Sequence, residues 1–286
     1  MTVECVVNIS EGRDTSVIDA IASVAGPALL DVHSDPDHHR SVLTLGGPAP
    51  DVVMASRAVV REACARIDMR VHRGVHPRLG AADVVPFVAL DGGLDEAVAL
   101  RDDFAQWAGR DLQLPCFLYG PERSLPTVRR EAFRSLDPDT GPQVPHPTAG
   151  ASAVGARPVL VAYNVWVTGP DDGETSALKL ARRVARTIRG PALLSLGLPV
   201  GSGAQVSCNL IDPRVLGPAR AYDRIARSVT QLGGSVVRAE LVGLVPAQVL
   251  AGIPVERHRE LDLSQDRTIE ARLESAGPVR APIRRR

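Results

Sequence analysis

One order of hydrophobic segments occurs twice along the chain, and it constrains the fold more than any other feature. In the first half, strand, helix, strand, strand, helix and strand are predicted at 3–7, 17–24, 29–33, 40–45, 51–67 and 83–88. In the second half, the same order is predicted at 159–167, 174–188, 192–198, 205–211, 217–232 and 235–242. Each set is the split βαβ motif of ferredoxin-like domains. The sequence therefore predicts an α/β (α+β) fold with subdomains at 1–156 and 157–275 and a disordered tail at 276–286.

Between the two repeats, the pattern predicts a helix over 94–108 and a short strand over 115–119. The following stretch, 136–150, is rich in proline, glycine and threonine. Such a composition is typical of irregular connections. We interpret 136–150 as the linker between the two halves.

Alternation along the predicted strands gathers polar side chains on one face of each sheet. In the first sheet these are Glu4, Asn8, Asp31, His33, Arg40, Thr44 and Asp83. In the second sheet they are Gln205, Ser207 and Asn209. With the helices outside, the two polar faces are either solvated or face each other across a ligand tunnel.

Charge and composition exclude several classes of protein. Lys+Arg and Asp+Glu both number 33, and aromatic residues make up 3% of the chain. This balance argues against a protein that binds nucleic acid or a membrane surface. No apolar stretch approaches the ~20 residues of a membrane span. The four cysteines are scattered without a CxxC pair, and no signal peptide is recognisable, so we expect a cytoplasmic protein.

The densest group of chemically capable residues is the stretch HRGVHPRLG at 72–80. Its two histidines have the i, i+4 spacing of metal ligands on a helix, but Gly74 and Pro77 argue against a helix here. A loop histidine that titrates near neutrality can instead carry a proton. The neighbouring arginines would keep such a histidine neutral and could hold carboxylates.

A second group, DPDHH at 35–39, combines carboxylates with imidazoles. Together with His33, His72 and His76, Asp35, Asp37 and His38 could form a divalent-metal site, which would suit a metal-dependent hydrolase of amidines or formamides. The other interpretation of 35–39 is a turn between two strands with solvated histidines.

Eleven segments, in the right order, make the chain resemble the formiminotransferase family. They are ECVVNISEGR (4–13), LLDV (29–32), RSVLT (40–44), IDM (67–69), HPRLGA (76–81), DVVPF (83–87), YG (119–120), GP (141–142), GAR (155–157), AQVSCNL (204–210) and LVGLVP (241–246). They are spread over roughly residues 3 to 250, so the resemblance is far more specific than any single motif.

The resemblance implies transfer of a formimino group from N-formimino-L-glutamate to N5 of tetrahydrofolate, with tetrahydrofolate as co-substrate and without a metal. It implies a cytoplasmic homodimer, a folate tunnel between the two sheets, and His76 as the catalytic residue. The segment that it assigns to folate consists of Gly141, Pro142, Gln143, Val144, Pro145, His146, Pro147, Thr148, Ala149 and Gly150. Further candidates for substrate contact are His33, Arg40, Arg78, Asp83 and Asn209.

The chain departs from the animal members of that family at two candidate positions. It has His33 where they have aspartate and Ala149 where they have tryptophan. A folate-binding protein without transfer activity is therefore a further alternative. For the folate segment, we expect a bulky residue in place of Gly150 to weaken folate binding and leave the fold intact.

Overall fold

The structure is a computed structural model, and it describes residues 1–74, 77–170, 174–201, 203–275 and 283–285. These residues form eleven β-strands and eight α-helices. The chain divides into two compact units, Met1–Pro158 with Ser275–Arg286, and Val159–Glu274. No helix of the described residues is long and apolar enough to cross a membrane.

The first unit begins with the predicted split βαβ motif. Its elements are β1 (Thr2–Ile9), α1 (Thr15–Ser23), β2 (Leu29–Asp35), β3 (Arg40–Pro48), α2 (Ala49–Arg66) and β4 (Ala82–Ala89). These strands lie in the order β2-β3-β1-β4, and neighbours within this group are antiparallel. Buried side chains of α1 and α2, including Ile21 and Val60, pack on one face of the sheet against residues such as Val7. The opposite face is left for polar residues, as the alternation predicts.

Four further elements extend this unit. They are α3 (Leu94–Asp111), β5 (Cys116–Tyr119), α4 (Leu125–Glu131) and β6 (Ser152–Ala156). Strand β6 pairs in parallel with β4, and β5 pairs in parallel with β6. The proline- and glycine-rich stretch 136–150 therefore lies inside the first unit, between α4 and β6. The prediction that it links the two halves is wrong.

That error has a physical cause in the sequence of β6, Ser-Ala-Val-Gly-Ala, which is dominated by small residues of low β-propensity. The strand is fixed by neighbours on both sides rather than by its own composition. Pairing of this kind is not visible in a local pattern.

The second unit repeats the split βαβ motif. Its elements are β7 (Val161–Thr168), α5 (Glu174–Ile188), β8 (Leu193–Val200), β9 (Gly203–Leu210), α6 (Pro218–Gln231), β10 (Ser235–Val242), α7 (Ala247–Ala251) and α8 (Ile269–Glu274). The sheet order β10-β7-β9-β8 corresponds strand for strand to β4-β1-β3-β2. The prediction of two ferredoxin-like α/β subdomains is confirmed.

The segment predicted as a disordered tail lies mostly outside the described residues. Within it, β11 (Ile283–Arg285) pairs in parallel with β2 of the first unit. This adds a seventh strand to the first sheet, in the order β11-β2-β3-β1-β4-β6-β5.

Candidate active site

The centre of the polar face is the fully buried carboxylate of Asp83 on β4. Its Oδ1 accepts the backbone N–H of Leu79 at 2.7 Å and Nη1 of Arg129 at 3.2 Å. Its Oδ2 accepts Nη2 of Arg129 at 2.7 Å and Nη1 of Arg40. Arg40 also donates through Nε and Nη2 to Oδ1 of Asn8, at 3.0 and 2.8 Å. We call Asn8, Arg40, Asp83 and Arg129 the Asp83 cluster.

Electrostatics fix the charges of this cluster. Burial alone would raise the pKa of Asp83, but the adjacent Arg40 and Arg129 outweigh it and hold that pKa well below the ordinary range. Asp83 is therefore a permanent anion at neutral pH and does not carry protons in a reaction. Burial lowers the pKa of Arg40, and the attraction of Asp83 opposes that shift. Two guanidinium groups on one carboxylate leave the cluster with a net positive charge.

A β-bulge directs Asp83 into this cluster. Asn8 pairs with Val84 and Ile9 pairs with Ala82, so Asp83 is the extra residue between the two pairs. Without the bulge, alternation from the core residues of β4 would point this side chain toward the helices. Bulges commonly redirect a side chain in this way next to functional sites.

Strand register places the other predicted polar residues on the same face. Val42 of β3 lies between Asn8 of β1 and His33 of β2, and Thr44 lies beside Asp31. Asp31 and Thr44 are at most 1% exposed and His33 is 6% exposed. The structure thus brings together the candidates Arg40, Asp83 and His33 on one sheet face.

The candidate folate segment is held against the end of the 70–82 loop. Gly80 and Gly150 form an antiparallel bridge, and the N–H of Ala81 donates to the carbonyl of Ala149 at 2.8 Å. Within the segment 141–150, His146 Nδ1 accepts the N–H of Ala149 at 3.0 Å. The end of the 70–82 loop and the segment 141–150 are far apart in sequence but are neighbours in the structure. Within the segment, Gln143, Val144 and Pro145 are exposed.

The turn that follows β1, Ser10 to Gly12, also contacts the end of the 70–82 loop. Ser10 Oγ donates to the carbonyl of Gly80 at 2.8 Å. Glu11 Oε1 accepts the N–H groups of the next three residues at 2.7–3.0 Å. Gly12 lies so close to β2 and β3 that a Cβ there would overlap the carbonyl oxygen of Asp35. These contacts explain why this turn needs Ser, Glu and Gly in that order.

Two histidines from different segments lie side by side, His72 of the 70–82 loop and His39 of the 35–39 turn, with ring centroids 4.1 Å apart. His72 Nε2 is 3.1 Å from His39 Nδ1, and Arg78 Nη1 is 3.0 Å from His72 Nε2. Burial, followed by the charge of Arg78, lowers the pKa of His72 to about 4. Burial also lowers the pKa of His39, although Glu11 opposes the shift. His72 is therefore neutral at physiological pH and serves as a hydrogen-bonding partner of Arg78.

The turn 35–39 is organised by its first residue. Asp35 Oδ1 accepts the N–H groups of Asp37 and His38 at 2.9 and 3.0 Å, and its Oδ2 lies 3.1 Å from His38 Nδ1. The second interpretation of the sequence predicts this turn correctly. Its prediction of solvated histidines is wrong, because His38 is buried and the His39 side chain is only 13% exposed. Among the described residues, no three His, Cys, Asp or Glu side chains are grouped as they would be around a metal ion.

The two remaining candidate residues are His76 and Asn209. His76 and its neighbour Val75 lie outside the described residues. Asn209 is an exposed residue of β9 in the second unit, in register with Ala162 and Leu194.

Gly150 has a structural role that the sequence does not reveal. Its φ is +72°, and a Cβ there would overlap the carbonyl oxygen of Leu79 and lie 3.0 Å from Cα of Gly80. A bulky residue at this position would push the two segments apart. The structure therefore predicts that such a substitution also strains the local fold, which the sequence-based expectation did not include.

Arg129 is the functional candidate that sequence reasoning missed. It lies on α4, which the periodicity did not predict because the helix has only seven residues. The stretch Ser124-Leu125-Pro126 carries a helix-start signal, and Ser124 Oγ does accept the N–H of Thr127 at 3.3 Å. That signal predicts the start of a helix, but it does not predict that Arg129 bonds Asp83.

Comparison with known proteins decides the family. Residues 2–157 match the family model described as "Formiminotransferase domain, N-terminal subdomain". The chain belongs to the formiminotransferase family. It is accordingly an enzyme of the transferase class.

Curated members of the formiminotransferase family align over most of the chain. The "Glutamate formimidoyltransferase" of Thermoplasma acidophilum is 38% identical over 280 residues, covering 88% of this chain and 90% of that protein. The protein of the same name from Streptococcus pyogenes serotype M1 is 36% identical over 278 residues, covering 88% and 91%. The "Formimidoyltransferase-cyclodeaminase" of Sus scrofa is 37% identical over 275 residues, covering 87% of this chain and 51% of that protein.

Proposed function

We propose that this chain is a glutamate formimidoyltransferase, which moves the formimino group of N-formimino-L-glutamate to N5 of tetrahydrofolate and leaves L-glutamate. The observation that carries the proposal is the similarity, over 88% of this chain, to two proteins of that name. Supporting it, three segments of the resemblance converge in the structure at Ser10, Gly80 and Gly150.

We assign the proton transfers to His76. N5 of tetrahydrofolate attacks the formimino carbon, and His76 accepts the proton that N5 loses. The histidine then returns that proton to the glutamate nitrogen, and the bond between this nitrogen and the carbon breaks. One group that titrates near neutrality can act in both steps. Holding the two substrates together supplies much of the remaining rate enhancement.

The donor is a dicarboxylate, and the Asp83 cluster supports its binding. Burial lowers the pKa of Arg78, and the charges of Arg40 and Arg129 lower it further while Asp83 opposes them. Three guanidinium groups near one carboxylate make this environment net positive. Such an environment attracts carboxylates, and the guanidinium fork matches their geometry. We propose that Arg78 holds a donor carboxylate, whereas Arg40 orders Asn8 and Asp83. The segment 141–150, paired with Gly80, is the proposed folate contact.

The protein is further proposed to be cytoplasmic. The four cysteines, Cys5, Cys64, Cys116 and Cys208, are free thiols, and all but Cys64 are buried. Free, buried thiols are typical of a reducing compartment. The homodimer implied by the resemblance stays a prediction.

The test compares His76→Ala with His72→Ala in a turnover assay with formiminoglutamate and tetrahydrofolate. Loss of a positioned acid–base group should lower turnover by roughly 10²–10⁴-fold and leave folate affinity nearly unchanged. His72→Ala should cost much less. A pH limb near ~6–7 should vanish in His76→Ala; it cannot belong to His72, whose pKa is about 4.

Equal losses at the two histidines would contradict the assignment of His76. The same assay run with excess chelator separates the transferase from the hydrolase alternative. We expect full turnover there, and loss that zinc or manganese restores would favour the hydrolase. Folate binding without turnover on formiminoglutamate would favour a binding protein instead.

A further inference from the structure

Arg129 joins three separate parts of the first unit. It projects from α4, and its Nη1 and Nη2 both reach the carboxylate of Asp83, at 3.2 and 2.7 Å. The same Nη1 donates to the backbone carbonyl of Pro77 at 2.9 Å. Pro77 directly follows His76 in the sequence. Arg129 therefore ties a helix, a buried strand carboxylate and the loop of the proposed proton carrier to one another.

The other end of this connection is rigid. Asp83 is completely buried and accepts the N–H of Leu79 at 2.7 Å, so the same carboxylate holds the loop two residues beyond Pro77. Arg40 provides a second ion pair to Asp83. The backbone of Gly80 and Ala81 is fixed in addition by Ser10 and Ala149. The backbone groups of Leu79, Gly80 and Ala81, which follow His76 in the chain, thus each form a hydrogen bond to a fixed group.

We propose that Arg129 is a positioning residue for the formimino transfer, acting through Pro77 and Asp83 on the loop that carries His76. This inference rests on the proposed function of His76. Arg129 itself contacts no reacting atom in it. Its planar fork suits the task, because it can bond a carboxylate with two nitrogens and still donate to a carbonyl. A lysine has three N–H donors but only one nitrogen, so it cannot reproduce the two-nitrogen geometry of these contacts.

Small displacements of a catalytic group are costly, since a misplacement of about 1 Å can lower a rate by ~10²-fold. Removing the Arg129 fork should therefore affect turnover more than binding. Asp83 keeps Arg40 and the Leu79 N–H in that variant, so the buried charge is still paired and the fold should persist. The proposed folate segment is held by Gly80 and Ala81 rather than by Pro77, so folate affinity should change little.

The experiment compares Arg129→Met, Arg129→Lys and the matched control Arg130→Met. Arg130 is the next residue on α4, is exposed, and donates to the neighbouring Glu131 at 2.6 Å. We expect Arg129→Met to lower kcat by about 10–100-fold with the folate Kd within about threefold of the parent. Arg129→Lys should recover part of the loss, and Arg130→Met should match the parent within about twofold.

Hydrogen exchange at the Leu79 amide provides a readout that does not depend on turnover. This amide donates to Asp83, and it should exchange at least about tenfold faster in Arg129→Met than in Arg130→Met. If the parent enzyme transfers no formimino group, the proposed function fails, yet this comparison still tests the connection between Arg129 and the loop. If Arg129→Met folds poorly, Arg129→Gln, which is polar but has no guanidinium fork, takes its place in every comparison, and Arg129→Lys stays the rescue variant. A kcat equal to that of Arg130→Met, or unchanged exchange at Leu79, would overturn the inference.

Discussion

His72 shows how a neutral imidazole can be maintained beside a guanidinium group. Partial burial removes water from the ring, and Arg78 disfavours a second positive charge next to it. With a pKa of about 4, the ring stays neutral throughout the physiological range. Its neighbour four residues along the chain, His76, is assigned the proton transfers. The i, i+4 spacing alone does not separate the two histidines, whereas the resemblance assigns the catalytic role to His76. The low pKa of His72 is consistent with that assignment.

The low pKa of His72 makes the free energy of unfolding depend on pH. In the unfolded chain a histidine has a pKa near ~6.5, so between that pH and about 4 the unfolded state binds a proton that the folded state does not. The contribution of His72 to stability is therefore complete above ~6.5 and is lost as the pH falls toward 4. Below 4 both states are protonated and the loss ends.

Urea unfolding at several pH values between 7.5 and 4.5 tests this expectation. The parent protein should lose more stability over that interval than His72→Gln, which has no ring to protonate. His39 shifts in the same direction in the parent, so its contribution should survive in the variant. Identical pH dependence in the two proteins would show that His72 does not have a depressed pKa.

Two of the decisive contacts lie beyond what a sequence pattern can encode. The polar set of the first sheet follows from simple alternation, and Asp31, His33 and Arg40 are where alternation puts them. Asp83 reaches the same face only because of a bulge, which depends on the pairing of β4 with β1. Arg129 bonds a residue 46 positions away, a distance that no local pattern spans.

Strands β5 and β6 illustrate how glycine can be required for packing. The ring of Tyr119 on β5 lies directly over Gly155 on β6, where a Cβ would overlap it. Tyr119 is 7% exposed. Its burial raises the pKa of its hydroxyl group to about 12. The motifs YG at 119–120 and GAR at 155–157 are thus two halves of one contact. The resemblance identified both, and the parallel pairing of β5 with β6 explains why they occur together.

Replacing Gly155 with alanine should displace the Tyr119 ring and reduce the stability of the first unit. Overpacking of this kind costs about 1–3 kcal/mol in the free energy of unfolding. Gly190→Ala is the control, since a Cβ at Gly190 would meet no atom within 4 Å. Urea unfolding of both variants measures the difference. A Gly155→Ala protein as stable as the control would mean that the ring has room to move.

The repeated topology is the part of the molecule that the sequence determines best. Both sheets have the strand order predicted for a split βαβ motif, because each helix and strand has a clear period of its own. The boundary between the two units does not follow from the periods of the helices and strands. Its position after Pro158 depends on β6, whose small residues carry no strand signal. The ligand tunnel between the polar faces stays a prediction.

The lengths of the relatives separate two activities. The chain aligns with 90% of the Thermoplasma acidophilum glutamate formimidoyltransferase but spans about half of the Sus scrofa formimidoyltransferase-cyclodeaminase. The part shared by all three corresponds to the one activity that their names have in common. The aligned residues of this chain are therefore expected to catalyse the formimino transfer.

The proton transfers proposed for His76 end with the release of glutamate, so we expect the purified chain to release one glutamate for each tetrahydrofolate consumed and to release no ammonia at the rate of turnover. The formimino nitrogen should stay on the folate product, because closing the ring between the two folate nitrogens requires a separate proton transfer to expel it. Coupled assays for glutamate and for ammonia on the same reaction check both statements. His76→Ala, which should slow glutamate release, controls for ammonia from spontaneous hydrolysis of the donor. Ammonia formed in step with glutamate by the parent, and lost in the variant, would show that this chain also carries the deaminating step.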